Sequence, residues 1–347
     1  MDDETKKELI TLGVVVGREL GARKVYHTIF KRLERPNYDL YPGLYDYDKV
    51  KTILNRKNLT FKSNGNTLNA YYYECKEKAK GLVVLVHGFH SGSDDYLPIT
   101  MYLVFKNYNV FTYDGTGTYE SEGKDLRGFS QGLVDLDYAL KFLASDRRFN
   151  KQDKYLLGHS CGGFAVNAVI SLHKKEIKAV ASIAAVNNCY TLILAKGSQY
   201  AGDLAEGGFQ KDFLDRYQKK IFGKYVEYDA LMGVNSVKFP IFIAHGNNDE
   251  TISFKEQSLI SKKREITNPN VEYYVGKGNQ AGHCSIWHSV RSNDYQEYVD
   301  NTLKSMKKEK ASEEDMKEFV RGLDHYLYSE IDYGLFDKII KTFEKAK

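Results

Sequence analysis

Cysteine is scarce in this chain, and its placement removes two classes of protein. Four cysteines in 347 residues do not make a disulfide framework, and Cys75, Cys161, Cys189 and Cys284 lack the CxxC spacing of a zinc site. A reducing cytoplasm is the expected compartment. Long apolar runs are missing too: the N-terminus opens on Asp2-Asp3-Glu4, and its longest apolar stretch, around Leu9 to Val16, is too short to cross a bilayer and carries no secretory pattern. Charge of one sign gathers nowhere, since 50 basic residues face 46 acidic ones for a net charge of +4 without a long block of either. Nucleic acid is therefore not an expected partner. There is no internal repeat.

What is there begins with enough apolar material for a core. At 42% hydrophobic residues, a chain of this length suits one large globular domain with an insertion, or two smaller units. Its organising stretch runs from the apolar Tyr155-Leu156-Leu157 through Gly158-His159-Ser160-Cys161-Gly162 into helix-forming residues. A serine hydroxyl is a weak nucleophile until it is exposed and given a base. The glycines at either side of Ser160 permit a tight strand-to-helix turn with the serine at its apex, and the new helix points free N–H groups at the same spot. Gly128-Phe129-Ser130-Gln131-Gly132 has the same spacing but follows the polar run Ser121 to Arg127, so Ser130 reads as a helix N-cap. For Ser160 the competing reading is a structural glycine turn with an idle serine.

Taken in order, residues 1–57 form an N-terminal helical extension and connector. Leu9, Val14, Val15, Leu20, Val25, Tyr26, Ile29, Phe30 and Leu33 recur at roughly helical spacing among Lys and Arg, and Pro36 ends the pattern. Docking of that face on the protein's own core is favoured over contact with a membrane surface. The Tyr-rich segment 38–47 reads as an extended connector. Alternation around Asn64-Gly65-Asn66 predicts a hairpin over residues 59–73. From Gly81 onward, strands at 82–86, 110–113, 155–157, 177–183, 240–244 and 271–275 alternate with helices at 96–106, 133–143 and 164–173. That order predicts an α/β fold, a mostly parallel sheet with helices on both faces. Its core occupies 58–186 and 238–306, interrupted at 187–237 by a glycine-rich segment with no strand pattern. An insertion there reads as a lid above the carboxyl ends of the strands, where open α/β sheets bind ligands. Residues 307–347 predict two C-terminal helices, 313–327 and 334–345.

A nucleophilic serine needs a base, and the base an orienting carboxylate. Residues 241–248 read as a buried strand and turn ending at Asp249, with Glu250 as the neighbour to exclude. Beyond it only His283, His288 and His325 remain; His283 sits in a glycine-flanked loop after the last strand, His288 in the helix that follows and His325 in the tail. Two backbone N–H groups are needed for an oxyanion hole, and Cys161 and Phe89 are the candidates, the latter in the loop His87-Gly88-Phe89 after the first buried strand. His87 reads as a brace for that loop. His90 and His159 are candidate substrate-pocket residues, with a solvent-facing loop position as the competing reading of His90. Cys161 and Cys284 flank nucleophile and base, which raises a redox switch; packing residues are the favoured alternative.

Together these residues resemble the α/β-hydrolase superfamily, in its esterase, lipase and serine-aminopeptidase-like branch, over most of residues 58–306. The likeness is carried by His87-Gly88-Phe89, Tyr113-Asp114-Gly115-Thr116-Gly117 with Ser121-x-Gly123, the Gly158-x-Ser160-x-Gly162 elbow, Asp249 and His283. The turn after Tyr113 departs from the branch's pattern by lacking an arginine. The resemblance implies acyl-enzyme chemistry on a small-molecule ester or acyl substrate, without cofactor or metal. Tyr and Phe in the insertion suggest an aromatic or medium acyl group. The same triad in a peptidase or amidase, with Glu206 or Glu227 as an amino-group anchor, is one alternative, and a catalytically silent binding protein is another. The sequence leaves the oligomeric state open.

Overall fold

A computed structural model describes residues 17, 19–193 and 209–346 of the chain. The predicted hairpin is β1 (Arg56–Ser63) and β2 (Asn66–Tyr73), paired antiparallel around Asn64 and Gly65, both at positive φ. The alternating region supplies β3 (Leu82–Val86), β4 (Asn109–Tyr113), β5 (Lys154–His159), β6 (Ile177–Ile183), β7 (Ile241–Gly246) and β8 (Val271–Gly276). All eight lie in one sheet in the order β1-β2-β4-β3-β5-β6-β7-β8. β2 runs antiparallel to β1 and β4, and every pairing from β4 to β8 is parallel.

Because strand side chains alternate between faces, the sheet has two cores. On one face Val84, Leu156 and Ile243 pack against α3 (Gln131–Ser145) and α4 (Cys161–Ala168). On the other, Val83, Leu157 and Phe242 pack against α2 (Leu97–Phe105) and the C-terminal helix Tyr333–Glu344, through Leu103, Phe336, Ile339 and Phe343. Both faces are therefore covered, as a parallel sheet requires.

Outside the sheet the structure differs from the pattern in places, each with a local cause. The N-terminal helix α1, residues 19–29, stops short of Pro36 because the chain turns to make backbone bridges from Lys31 to Asp125 and from Leu33 to Thr118. Its Tyr26 and Phe30 are buried in the core, which is the docking arrangement; Leu9, Val14 and Val15 lie outside the described residues. The Tyr-rich connector contains a 3-10 turn, Tyr38–Leu40, begun by the Asn37 side chain accepting from Asp39 N–H. Ser130 precedes α3 but caps nothing: its backbone is already helical and its side chain makes no capping bond.

Between β6 and β7 the described residues form helices, α5 (Phe209–Phe222) and α6 (Ala230–Asn235) among them, and no strand. The helix expected after the last strand is α7 (Val290–Lys308), along which only Ser292 and Val299 are buried. His288 lies just ahead of it rather than inside it, before the N-cap Ser289. The helix expected over 313–327 is broken: α8 (Glu313–Arg321) ends at Gly322, and Asp324 starts a new turn by accepting from Leu327 N–H. The last helix, α9 (Tyr333–Glu344), follows.

Candidate active site

Ser160 stands at the carboxyl end of β5 with φ +58 and ψ −122, a backbone state that a side chain of its size adopts only under compulsion. The compulsion comes from both sides. A β-carbon on Gly158 would meet the Gly162 carbonyl, and one on Gly162 would meet the Val86 and His87 carbonyls. Only glycine at both positions lets α4 start this close to β5 and to the loop after β3.

The loops after β7 and β8 bring two more groups to that point. Nε2 of His283 accepts from Ser160 Oγ at 2.9 Å, and Nδ1 of His283 donates to Asp249 Oδ2 at 2.8 Å. This tautomer follows from the partners, a carboxylate on one nitrogen and a hydroxyl on the other. Asp249 is held in turn by the N–H groups of Thr251 and Ile252, each 2.8 Å from Oδ1. Burial alone would raise its pKa, but hydrogen bonds from His245 and His283, with the His283 charge and the Ile252 N–H, hold the carboxyl well below the usual range. Glu250, the neighbour set aside, accepts from the His283 backbone N–H at 3.1 Å. His325 instead meets the Pro42 carbonyl, and His288 packs on Trp287.

His159 is placed otherwise than as a pocket residue. It is 5% exposed, and both ring nitrogens are engaged within the protein. The Gly88 N–H donates to the Tyr96 hydroxyl at 2.9 Å, that hydroxyl donates to His159 Nδ1 at 2.9 Å, and His159 Nε2 donates to the His283 carbonyl at 3.1 Å. The chain needs a neutral imidazole, and burial supplies one by lowering His159 to about 3. Its side chain thus ties the loop after β3 to the loop carrying His283.

Two supporting residues were not singled out in the sequence. Tyr96 read only as the start of a helix, and His245 only as part of a buried strand, four residues before Asp249. His245 is fully buried, with Nε2 3.1 Å from the Ile252 carbonyl and 3.0 Å from Asp249 Oδ2. A strand that ends in histidine one turn before an acid is the signal that could have found it.

With Gly88 N–H committed to Tyr96, the next N–H along that loop is that of Phe89. It donates to the thiol of Cys161, the first residue of α4, whose own N–H has no intrahelical acceptor. His87 braces the loop as expected, with Nδ1 2.8 Å from the Gly88 carbonyl and Nε2 accepting from Gly115 N–H at 3.0 Å. His90 is exposed and stacks on Phe89, with ring centroids 3.9 Å apart. The two neighbouring thiols are poor thiolates. Burial pushes Cys161 up to about 12; Cys284, although exposed by area, also reaches about 12 through desolvation of its sulfur and the Glu250 and Asp249 carboxylates. Thiols held protonated in this way favour the packing reading over the redox switch.

The turn after Tyr113 receives from outside the arginines it lacks. Arg32 donates to the carbonyls of Tyr119, Ser121 and Gly123, and Arg35 reaches Asp94 at 2.8 Å and Asp114 at 3.8 Å. Buried Asp114 also accepts from the Ser93 N–H and hydroxyl and from the Tyr71 hydroxyl. The N-terminal segment is built into the site's foundation.

A family model described as serine aminopeptidase, S33, matches residues 77–202, the span from just before β3 into the insertion. Over that span the chain matches the family's model, and the mostly parallel sheet with a glycine-framed serine at the end of β5 has the α/β-hydrolase fold. Two solved structures show the same fold. The Pyrococcus furiosus esterase Pf2001 shares 19% identity at a TM-score of 0.55, covering 80% of this chain and 97% of the esterase. A Pyrococcus horikoshii acylaminoacyl peptidase shares 16% identity at a TM-score of 0.51, covering 76% of this chain and 43% of the peptidase. No curated protein matches the sequence.

Proposed function

We propose that this α/β-hydrolase is a serine hydrolase that cleaves carboxylic esters through an acyl-enzyme. The reading is carried by one observation: a single imidazole, His283, bridges Ser160 Oγ at 2.9 Å and the Asp249 carboxylate at 2.8 Å. In this scheme Ser160 Oγ bonds to the ester carbonyl carbon while His283 Nε2 takes the hydroxyl proton. Negative charge that develops on the carbonyl oxygen is met by the N–H groups of Phe89 and Cys161, fixed before substrate arrives. Collapse breaks the carbon–oxygen bond to the alcohol, which leaves with the proton from His283. Water, deprotonated by the same imidazole, then releases the acid and restores Ser160. Asp249 keeps the imidazole oriented and stabilises its charged form. His90, exposed beside Phe89, lies where it can touch substrate. The insertion is assigned the role of a lid, and four unpaired cysteines support a cytoplasmic setting.

The description of the matched family keeps peptide substrates as the second reading. Of its two candidate anchors, Glu227 closes the 3-10 turn Gly223–Glu227, and Glu206 lies outside the described residues. A fluorophosphonate probe followed by peptide mass spectrometry, with p-nitrophenyl esters and aminoacyl p-nitroanilides assayed in parallel, tests both. Labelling of Ser160 with ester turnover abolished in Ser160→Ala is expected. Anilide turnover without ester turnover would give the peptidase, and absence of labelling the silent binding protein.

A further inference from the structure

Helix α1 lies outside the sheet and its covering helices, yet its side chains and that of Phe30, the residue after it, reach the loop after β3 and the 125–129 loop. Phe30, 1% exposed, stands with its ring centroid 5.4 Å from that of Phe89 and 5.0 Å from that of Phe129, and the last two are 4.8 Å apart. All three pairs meet edge to face, at 66°, 81° and 78°. Three rings in mutual edge-to-face contact define one another's positions. Phe89 is thereby fixed through its side chain, and its backbone N–H with it.

One helical turn earlier, Tyr26 serves the insertion. Its hydroxyl donates to the Arg127 carbonyl at 2.6 Å and accepts from Gln218 Nε2 of α5 at 2.7 Å, while its ring packs 5.0 Å from Tyr217. His27 adds contacts to Asp125 at 2.8 Å and to the Tyr217 hydroxyl at 2.9 Å. Gly128, at φ +146, leaves the room that the Tyr26 hydroxyl and Phe222 occupy. Below this junction the bridges at Lys31 and Leu33 and the Arg32 guanidinium fasten the chain to the 118–125 segment.

We propose that α1 is a positioning element of the active site: Phe30 holds the oxyanion loop in place through Phe89, and Tyr26 holds α5 against the 125–129 loop. The proposal rests on the serine-hydrolase reading. One short helix then sets both the donors that meet the transition state and the wall that longer acyl groups encounter. Phe30 acts on kcat for every ester; Tyr26 acts on the binding of long ones.

The test uses the full chain and compares wild type with Phe30→Ala, Phe30→Leu, Tyr26→Phe and, as a control at an exposed position of α1, Leu20→Ala. Turnover of p-nitrophenyl acetate and octanoate is measured beside amide hydrogen exchange over residues 86–92 and 211–222. Phe30→Ala is expected to lose about tenfold or more in kcat on both esters with KM little changed, with faster exchange at 86–92. Phe30→Leu, which keeps most of the volume, recovers much of the loss and carries the comparison if the alanine variant does not fold. Tyr26→Phe raises KM for octanoate more than for acetate and quickens exchange at 211–222. Leu20→Ala matches wild type. A folded Phe30→Ala protein with wild-type kcat and unchanged exchange at 86–92 overturns the proposal. Wild-type protein that fluorophosphonate does not label at Ser160 brings down the hydrolase reading instead, and the exchange arm then decides by itself whether α1 holds the two segments.

Discussion

His159 Nε2 donates to the carbonyl oxygen of His283 across 3.1 Å, so the residue before the candidate nucleophile holds the backbone of the candidate base. The other nitrogen of the same ring accepts from Tyr96, which in turn accepts from Gly88 N–H. The Ser160 turn, the loop after β3 and the loop that carries His283 are thus joined by one neutral imidazole and one phenol. None of the three polar groups can reach water, so each depends on the others.

Replacing His159 by Phe keeps the ring volume and removes both hydrogen bonds. The His283 carbonyl and the Tyr96 hydroxyl lose partners, at a cost of about 1–3 kcal/mol in stability. Ester kcat is expected to fall about tenfold or more while KM changes little, because a base displaced by a fraction of an ångström loses geometry and not substrate contact. Tyr96→Phe should do the same more mildly, since His159 keeps its bond to His283. Steady-state kinetics with urea unfolding of both variants checks this; a normal kcat in His159→Phe would mean that the His283 loop holds itself.

The two glycine-framed serines separate sharply under methyl substitution. Gly162→Ala would drive a methyl into the Val86 and His87 carbonyls, forcing α4 away from the loop that carries Phe89. A loss of about a hundredfold in kcat/KM is expected, with a lowered melting temperature. Gly132→Ala, in the Ser130 copy of the pattern, meets its nearest atom, Ala165 Cβ, at 3.7 Å and should behave nearly as wild type. Parallel assays and melts of the two proteins distinguish a functional elbow from a shared spacing.

That contrast also marks what the sequence could tell. A buried apolar run before Ser160 and a polar run before Ser130 are local signals, and they separate the two sites because burial of a central strand is a local compositional demand. Asp249 and His283 were legible for the same reason: each follows a strand that alternation or apolarity reveals. His159, Tyr96 and His245 were not, because their roles depend on which loops meet across 63 and 124 residues of chain, as in the Tyr96–His159 and His159–His283 bonds. The start of helix α7 was misplaced, with His288 read inside it, because its face toward the core is small and polar and gives no apolar period to mark its first turn; the reach of Phe30 to Phe89 was hidden because periodicity shows that a face is apolar without showing what it covers.

Acid should weaken the fold through its buried histidines. Burial lowers His159 and His288 to about 3, from an ordinary 6.5. Between those values the unfolded chain binds two protons that the folded chain refuses, so their contribution is full above 6.5 and falls away toward 3, on the order of 1 kcal/mol per pH unit for each. Asp94 works the other way. Burial raises it to about 6 from 3.8, so its contribution is present below 3.8 and is lost as the pH rises through about 6. Burial also raises Asp95 and lowers His90, so carboxylates and histidines oppose one another; with His159 and His288 the strongly shifted histidines, the urea midpoint should drop from pH 7 to pH 5, and His288→Gln should show a shallower drop. An equal slope in wild type and variant would remove His288 from the account.

His245 is the remaining lever on the candidate triad. Its Nε2 lies 3.0 Å from Asp249 Oδ2, the oxygen that also receives His283, and 3.1 Å from the Ile252 carbonyl. Those two acceptors require the proton on Nε2, directed at the carbonyl with its positive end beside the carboxylate. Asp249 is a depressed carboxyl, so what it contributes is present above 3.8 and lost as the pH falls. His245→Phe removes a buried donor that depresses it and strands the Ile252 carbonyl. Asp249 then takes up its proton at a higher pH than in the wild type, and a protonated acid no longer stabilises a charged imidazole. At pH 8 the variant should keep a substantial part of wild-type kcat/KM; near pH 5 it should fall away faster than the wild type does. His245→Gln, whose amide can still donate, should lie between the two. Profiles of kcat/KM against pH for the three proteins decide it, and curves that differ only by a constant factor at every pH would reduce His245 to a packing residue.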